Sequence, residues 1–212
     1  MKKLFLGAAI AMSSLAFAQQ FGVKGGLNVS SISNTEDLLA PVLDADSKSK
    51  IGFNAGVFMN MPLTADFGIQ PEILYNNLGA KMTADDGKGN SGSLKLNLDY
   101  ISVPVMFQYN ATPEFYLEAG PQFSLLVSSK LKTEANGKTE TSSDVDKDDF
   151  NSFDFGLGIG AGYYITPQLG VTARYVAGFT EISKENPTDN KLKNNVFQVG
   201  LAYKFGSKAS KL

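Results

Sequence analysis

The chain contains no cysteine, no histidine and no tryptophan. Those absences remove zinc sites built on Cys or His, disulfide scaffolds, haem held by His or Cys, and every Ser-His-Asp or Cys-His nucleophile. Charge is also scarce, at 19 % of 212 residues. The 19 basic side chains face 21 acidic ones, so no basic footprint points to nucleic acid. Beyond residue 18 no apolar run is long enough for a membrane helix. What remains is 43 % hydrophobic residues, too many for a disordered chain, together with 21 glycines and 23 aromatics (15 Phe and 8 Tyr).

The amino terminus has the pattern of an export signal. Met1-Lys2-Lys3 is a short cationic segment, Leu4 to Met12 is apolar, and Ala16-Phe17-Ala18 supplies the small-x-small site a signal peptidase accepts. A cleaved signal peptide is therefore expected over residues 1–18, with Gln19 the first mature residue. Without Lys2 and Lys3 the net charge moves from −2 to −4. The rest divides into a barrel domain over 19–206 and a short carboxy-terminal tail over 207–212.

If an exported chain without a membrane helix enters a membrane, a closed β-barrel is the remaining route. The apolar pattern has period two. Phe21, Val23, Leu27 and Val29 alternate with Gly22, Lys24, Gly26 and Asn28. The same alternation recurs around Ile51–Met61, Phe67–Tyr75, Ile101–Tyr109, Leu117–Val127, Phe153–Ile165, Leu169–Phe179 and Phe197–Phe205. That makes eight segments, each near the roughly 9–11 residues a tilted membrane strand needs. Their connections alternate strictly. Residues 31–50, 80–93, 130–149 and 183–191 are long and polar, whereas 62–66, 110–114 and 166–168 are short. This is the order of an eight-stranded antiparallel up-and-down transmembrane barrel, with tight turns at one rim and long loops at the other. Phe21, Phe67, Tyr109, Phe115, Tyr163, Tyr203 and Phe205 fall near the short-turn rim, and Phe53, Tyr75, Phe153 and Phe179 near the long loops. Two such girdles are the lipid-interface layout of a membrane barrel. A soluble barrel would need these aromatics inside, where a small eight-strand interior has no room for them.

Tyr100-Ile101-Ser102-Val103-Pro104-Val105, Tyr116-Leu117-Glu118-Ala119-Gly120-Pro121 and Gly200-Leu201-Ala202-Tyr203-Lys204-Phe205 resemble the PorT-like outer membrane β-barrel family of Gram-negative bacteria. The likeness spans about residues 19 to 206. It implies an eight-stranded outer-membrane barrel, in a family named after a member involved in protein secretion.

Parity places six charged side chains inside: Lys24, Arg174 and Lys204 against Glu72, Glu118 and Asp154. Balanced sign in a filled interior predicts a structural salt-bridge network, with Arg174 expected to pair with Glu118 and Glu72. The column Gly156, Gly158, Gly160 and Gly162 lies on a strand and matches no nucleotide fingerprint. It is expected to make space for inward side chains such as Arg174 or Phe58. Asp144, Asp146 and Asp148 resemble the start of a calcium loop, but Asp149 and Phe155 stand where Gly and Glu are required, so the motif fails. Asp85 to Asn90 reads as a tight turn. Pro71, Pro104 and Pro121 fall inside strands, where bulges are expected. A change of apolar phase from Leu94, Leu96 and Leu98 to Ile101 and Val103 suggests one just before Pro104.

No nucleophile–base pair marks a catalyst, and no catalytic residue, metal or cofactor is expected. The expected object is a monomeric, non-catalytic outer-membrane protein with a structural or interaction role through its four long loops. Its partners would be outer-membrane lipid and surface or periplasmic proteins met through 31–50, 80–93, 130–149 and 183–191. A membrane component of a secretion or assembly apparatus, and a narrow solute pore, are the alternatives.

Overall fold

The computed structural model describes residues 19–33, 45–85, 91–135, 138–144, 150–184 and 192–205. The expected signal peptide 1–18, the tail 207–212, the turn residues 86–90 and the loop acids Asp146, Asp148 and Asp149 lie outside the described residues. Nine strands carry the fold: β1 Gln20–Ile32, β2 Ala45–Pro62, β3 Phe67–Asp85, β4 Ser91–Asn110, β5 Phe115–Ala135, β6 Lys138–Asp144, β7 Phe153–Tyr164, β8 Leu169–Gly178 and β9 Asn194–Lys204. All pairings are antiparallel. Eight strands close in the order β1-β2-β3-β4-β5-β7-β8-β9, with β9 returning to β1, and β6 pairs only with the outer part of β5. The described residues contain no helix.

Alternation decides which side chain meets what. Phe21, Leu27, Ile51, Phe107, Ile159, Val199 and Leu201 point outward and are half or more exposed, reaching 73 % at Ile51. Lys24, Asn28, Glu72, Gln108, Glu118 and Arg174 point inward and are buried. Apolar outside and polar inside is the pattern of a barrel dissolved in lipid.

The strands differ in height. β1, β7, β8 and β9 have 13, 12, 10 and 11 residues, close to what a bilayer needs. By contrast β2 to β5 run to 18, 19, 20 and 21 residues and rise beyond it as a wall. Three of the four segments expected as loops are thus partly strand: 45–50 in β2, 80–85 and 91–93 in β3 and β4, and 130–135 with 138–144 in β5 and β6. Above the membrane the outer face of the wall meets water, so the apolar-outside alternation that marks the lower strands no longer applies there.

The three short turns are copies of one design. Thr64, Thr112 and Thr166 each accept a hydrogen bond through Oγ1 from the backbone N–H three residues on, at 3.0, 3.0 and 2.9 Å. The carbonyls of Asp66, Glu114 and Gln168 then accept from Asn110, Tyr164 and Lys204 of the next strand but one, at 2.7–2.8 Å. Each hydroxyl satisfies a donor the turn would otherwise orphan. The repeated Thr-Ala-Asp, Thr-Pro-Glu and Thr-Pro-Gln are visible in the sequence but carry no apolar period.

The prolines are accommodated without bulges. Ladder pairs lapse on one side of each, between Phe58–Glu72 and Met61–Ile69 for Pro71, between Pro71–Val105 and Leu74–Ser102 for Pro104, and between Pro104–Gln122 and Phe107–Ala119 for Pro121. Register is unchanged across every lapse, and each proline stays paired to the following strand. One missing N–H therefore weakens one ladder locally. A register shift does fall between Asp99 and Tyr100, but the extra residue is Val127 of β5. β4 keeps its parity, with Leu96 and Leu98 on the same inner face as Ser102 and Met106.

Candidate functional site

The interior is the candidate site, and its middle layer is ionic. Register sets Glu118 of β5 opposite Gly160 of β7, and Gly160 opposite Arg174 of β8. With no side chain between them, Arg174 Nε donates to Glu118 Oε1 at 2.7 Å. Its Nη1 and Nη2 donate to Glu72 Oε2 and Oε1 at 2.9 and 2.7 Å, a bidentate pair across the lumen. Lys24 Nζ donates to Glu72 Oε1 at 2.9 Å. Gln70 Nε2 and Gln108 Nε2 donate to Glu72 and Glu118, and Asn60 Nδ2 donates to Gln108 Oε1. Two cations and two anions, all buried, thus meet in a layer without net charge. Each carboxylate accepts from several donors, the condition under which buried charge is tolerable.

Above this layer most polar groups are neutral, the exceptions being Asp154 and the buried Lys50, whose Nζ donates to Asn77 Oδ1 at 2.6 Å and to the Leu78 carbonyl at 2.8 Å. Asn28 Oδ1 accepts from Asn54 Nδ2 at 2.6 Å and from Gln198 Nε2 at 3.2 Å. Asn76 Nδ2 donates to Ser102 Oγ at 2.9 Å, and the Ser102 and Ser124 hydroxyls lie 2.8 Å apart. Higher still the interior turns apolar. Ile32, Leu78, Ala80, Leu98, Tyr100, Leu126, Ile182 and Val196 form one buried cluster, with Leu96, Phe150 and Leu192 packed against it. The reversal has a physical cause. Above the bilayer the wall faces water on its outside, so the hydrophobic effect requires apolar residues inside, as in a soluble protein. The apparent change of phase in β4 is this change of solvent.

Two of the six inward charges lie apart from the network, which corrects the six-membered expectation. Asp154 stands six residues from Gly160 along β7, about 20 Å of strand. It accepts from Asn194 Nδ2 at 2.9 Å, while its Oδ1 and the Oδ1 of Asn194 are buried without a donor. Two buried acceptors without donors favour a side chain that can supply one. Asp154→Asn is expected to leave stability unchanged or raise it by about 1–2 kcal/mol, since a buried unsatisfied acceptor costs about that much. Urea titration of the folded band reads it out, and a loss of more than about 1 kcal/mol would show that the charge itself is needed.

Lys204 is at the opposite end, at the short-turn rim. Its Nζ sits 3.8 Å from the centroid of the Tyr164 ring, a cation–π contact, and Tyr164 packs on Tyr116 at 5.8 Å. A cavity of about 370 Å³ opens beside it, lined by Gln20, Glu114, Tyr164, Thr166 and Lys204 among others. Parity gave Lys204 its inward direction, but height along the barrel keeps it from Glu72 and Glu118.

The glycine column holds the inward side chains. A Cβ on Gly158 would meet Met106 Cε at 3.2 Å and Arg174 Cδ at 3.5 Å, and one on Gly160 would meet Glu118 Oε1 at 3.0 Å. A Cβ on Gly162 would overlap the Tyr116 ring. Phe58 is accommodated instead by Gly22, its cross-strand partner on β1.

On the outer face all eleven expected interface aromatics point away from the lumen, with Phe53 and Phe153 among the exposed ones. Phe21, Phe67, Tyr109, Tyr163, Phe179, Tyr203 and Phe205 are exposed, and Tyr75 and Phe115 are partly so. Neighbouring rings form pairs: Phe67–Tyr109 at 5.2 Å and Tyr203–Phe205 at 5.7 Å below, Phe53–Tyr75 at 5.5 Å and Phe155–Phe179 at 6.3 Å above. Tyr163 and Phe155 are eight residues apart on β7, and Tyr163 and Phe153 ten. At the usual rise and tilt this separates the girdles by roughly 20–25 Å. Among the described residues no group of three or more acidic side chains is placed to hold a metal. Asp144 ends β6 opposite Lys130.

Among solved structures the chain is similar to Neisserial surface protein A, with 13 % identity over 87 % of this chain and 97 % of that one and a TM-score of 0.49. Ail, the attachment invasion locus protein of Yersinia pestis, is 15 % identical over 88 % and 98 %, at a TM-score of 0.47. The outer membrane protein OprG of Pseudomonas aeruginosa is 16 % identical over 88 % and 95 %, at 0.41. No curated protein sequence matches the chain. The family described as outer membrane protein beta-barrel domain matches residues 17–184, most of the length, and the chain belongs to that family.

Proposed function

We propose that this outer membrane barrel is a closed, non-catalytic protein that serves a structural or interaction role at its extracellular end. Export by a cleaved signal peptide over 1–18 is part of the reading. So are partners met through the wall β2–β5 and the segments 31–50, 80–93, 130–149 and 183–191. The supporting observation is the filled interior. Arg174, Lys24, Glu72 and Glu118 occupy its middle and the cluster around Leu98, Tyr100 and Ile182 occupies its upper part. Charged groups already engaged with one another offer neither a selectivity filter nor an acid–base pair. The refolded barrel is expected to show no stable unitary conductance in planar bilayers. Reproducible single-channel steps would overturn the closed reading in favour of a narrow pore.

A second reading rests on the PorT-like segments Tyr100–Val105, Tyr116–Pro121 and Gly200–Phe205. In it the barrel is a membrane component of a secretion or assembly apparatus. The three Thr-anchored turns, presented side by side at the short-turn rim, are a suitable periplasmic contact surface. Deletion with loss of surface cargo and intact membrane integrity supports this reading over the first.

A further inference from the structure

Three buried side-chain oxygens in the upper lumen have no hydrogen-bond donor: Asp154 Oδ1 of β7, Asn194 Oδ1 of β9 and Gln122 Oε1 of β5. Asn194 and Gln122 are only 3 % and 6 % exposed, so bulk water does not serve their amides. An unmet acceptor at such depth costs stability unless something supplies positive charge to it.

Register brings the three to one hollow. Gln122 stands opposite Gly156, and Gly156 opposite Gly178. Gly178 in turn lies against the backbone of Asn194, next in the ladder after the Ala177–Asn195 pair. Two residues without side chains thus separate Gln122 from Asn194 along one row of the wall. Asp154 lies two residues above Gly156 on the same face, opposite Ser124. Gln122 Nε2 donates to Ser124 Oγ at 3.4 Å, which draws that amide up toward the Asp154 row. From the other side Asn194 Nδ2 donates to Asp154 Oδ2 at 2.9 Å and to the Tyr100 hydroxyl at 3.3 Å. Diagonal neighbours on a sheet are within reach of such side chains. The layout repeats that of the ionic layer, where Gly160 leaves room between Glu118 and Arg174. There a guanidinium fills the room. In the upper hollow no cation among the described residues pairs with Asp154, and Lys50 is committed to Asn77 and the Leu78 carbonyl on β3.

The donor set names the occupant. A carboxylate and two amide carbonyls are hard oxygen ligands of the kind that suit alkali and alkaline-earth ions. Water donates to such oxygens but brings no charge, and a carboxylate held in a lumen needs a counter-charge. One carboxylate balances one positive charge, so a monovalent ion leaves the hollow neutral like the layer below it, whereas a divalent ion leaves an excess. Asp154 is only partly buried, which gives an ion a way in from the extracellular end.

We propose that Asp154, Asn194 and Gln122 bind a sodium-class monovalent cation in the upper lumen. Asp154 supplies the charge and the two amide carbonyls the other protein ligands. The ion ties β5, β7 and β9 together across the row that Gly156 and Gly178 leave without side chains. The site goes beyond the closed-barrel reading and does not depend on whether the lumen conducts.

The test uses the full refolded barrel in a non-ionic detergent, with sodium chloride as the probe and choline chloride holding the ionic strength constant. Urea midpoints of the heat-modifiable band are expected to rise with sodium. Above the dissociation constant the folding equilibrium is expected to shift about tenfold for each tenfold rise in sodium. This comparison needs no variant. In choline alone Asp154→Asn is expected to match or exceed the unsubstituted protein, and in sodium it is expected to gain nothing. Gln122→Met keeps an unbranched stem but lacks the carbonyl, and is expected to need several times more sodium for the same shift. Sodium-23 line broadening in the same samples reports the ion independently of stability, and is expected to disappear in the folded Asp154→Asn variant. Calcium chloride at equal ionic strength is expected to shift the midpoint less than sodium does. Equal midpoints in sodium and choline would mean that a water or a proton serves Asp154, and would overturn the proposal. So would an undiminished sodium response in folded Asp154→Asn, or a larger response to calcium than to sodium.

Discussion

Arg174→Glu is expected to abolish stable folding. The substitution removes three charge-assisted hydrogen bonds and sets a third carboxylate beside Glu72 and Glu118, leaving Lys24 as the one cation of that layer. Breaking a buried ion pair from one side costs about 3–5 kcal/mol, a large part of the 5–15 kcal/mol that typically holds a domain together. Arg174→Met separates charge from volume. It keeps a long stem but leaves two carboxylates against one ammonium, and is expected to be strongly destabilised too. Arg174→Met/Glu118→Gln returns the layer to one cation and one anion, Lys24 and Glu72, and is expected to recover most of the loss. The double variant should lie at least about 2 kcal/mol above the sum of the two single effects, within the range of coupling between contacting groups. Urea midpoints of the heat-modifiable band give all the values. Additive effects would mean that Arg174 and Glu118 act separately, and an unchanged midpoint for Arg174→Glu would refute the lumenal ion pair.

How much of this could be read from the sequence depended on which solvent each residue meets. Where lipid lies outside and a packed lumen inside, the two faces differ so strongly that Phe21, Val23, Leu27 and Val29 against Gly22, Lys24 and Asn28 suffice to assign strand, face and span. Above the bilayer that contrast disappears. Lys81, Lys95 and Lys132 on one face and Leu78, Leu96 and Leu98 on the other reverse the code, so a continuing wall reads as loop and an unbroken strand as a bulge. Parity gave the inward direction of Lys24, Glu72, Glu118, Asp154, Arg174 and Lys204. It carries no information on height, and height is what puts Asp154 beside Asn194 and Lys204 beside Tyr164. The three short turns were placed by their length, but their shared threonine anchor was not, since a hydroxyl accepting one backbone N–H leaves no apolar signature.

Gly160→Val is expected to disrupt the barrel, whereas Gly158→Ala, two residues away on the same face of the same strand, is expected to be nearly silent. A Cβ at Gly160 would stand 2.6 Å from the carbonyl oxygen of Ala173 and 3.0 Å from Glu118 Oε1. The first is backbone and cannot retreat without parting β7 from β8. The second is the oxygen that accepts from Arg174 Nε. Valine adds two methyl groups between the ion-pair partners, so overpacking of about 1–3 kcal/mol combines with loss of a buried pair. At Gly158 the nearest atom is Met106 Cε at 3.2 Å, the end of an unbranched, adaptable side chain that yields by a rotamer change. Gly158→Ala is accordingly expected to cost less than about 1 kcal/mol, and urea midpoints compare it directly with Gly160→Val. If strand entropy alone explained the column, both substitutions would stabilise the barrel, because each removes a glycine from a strand interior. Opposite behaviour at the two positions assigns Gly160 to the Arg174–Glu118 contact, and equal behaviour would show that the column is a matter of strand twist and not of the charges it surrounds.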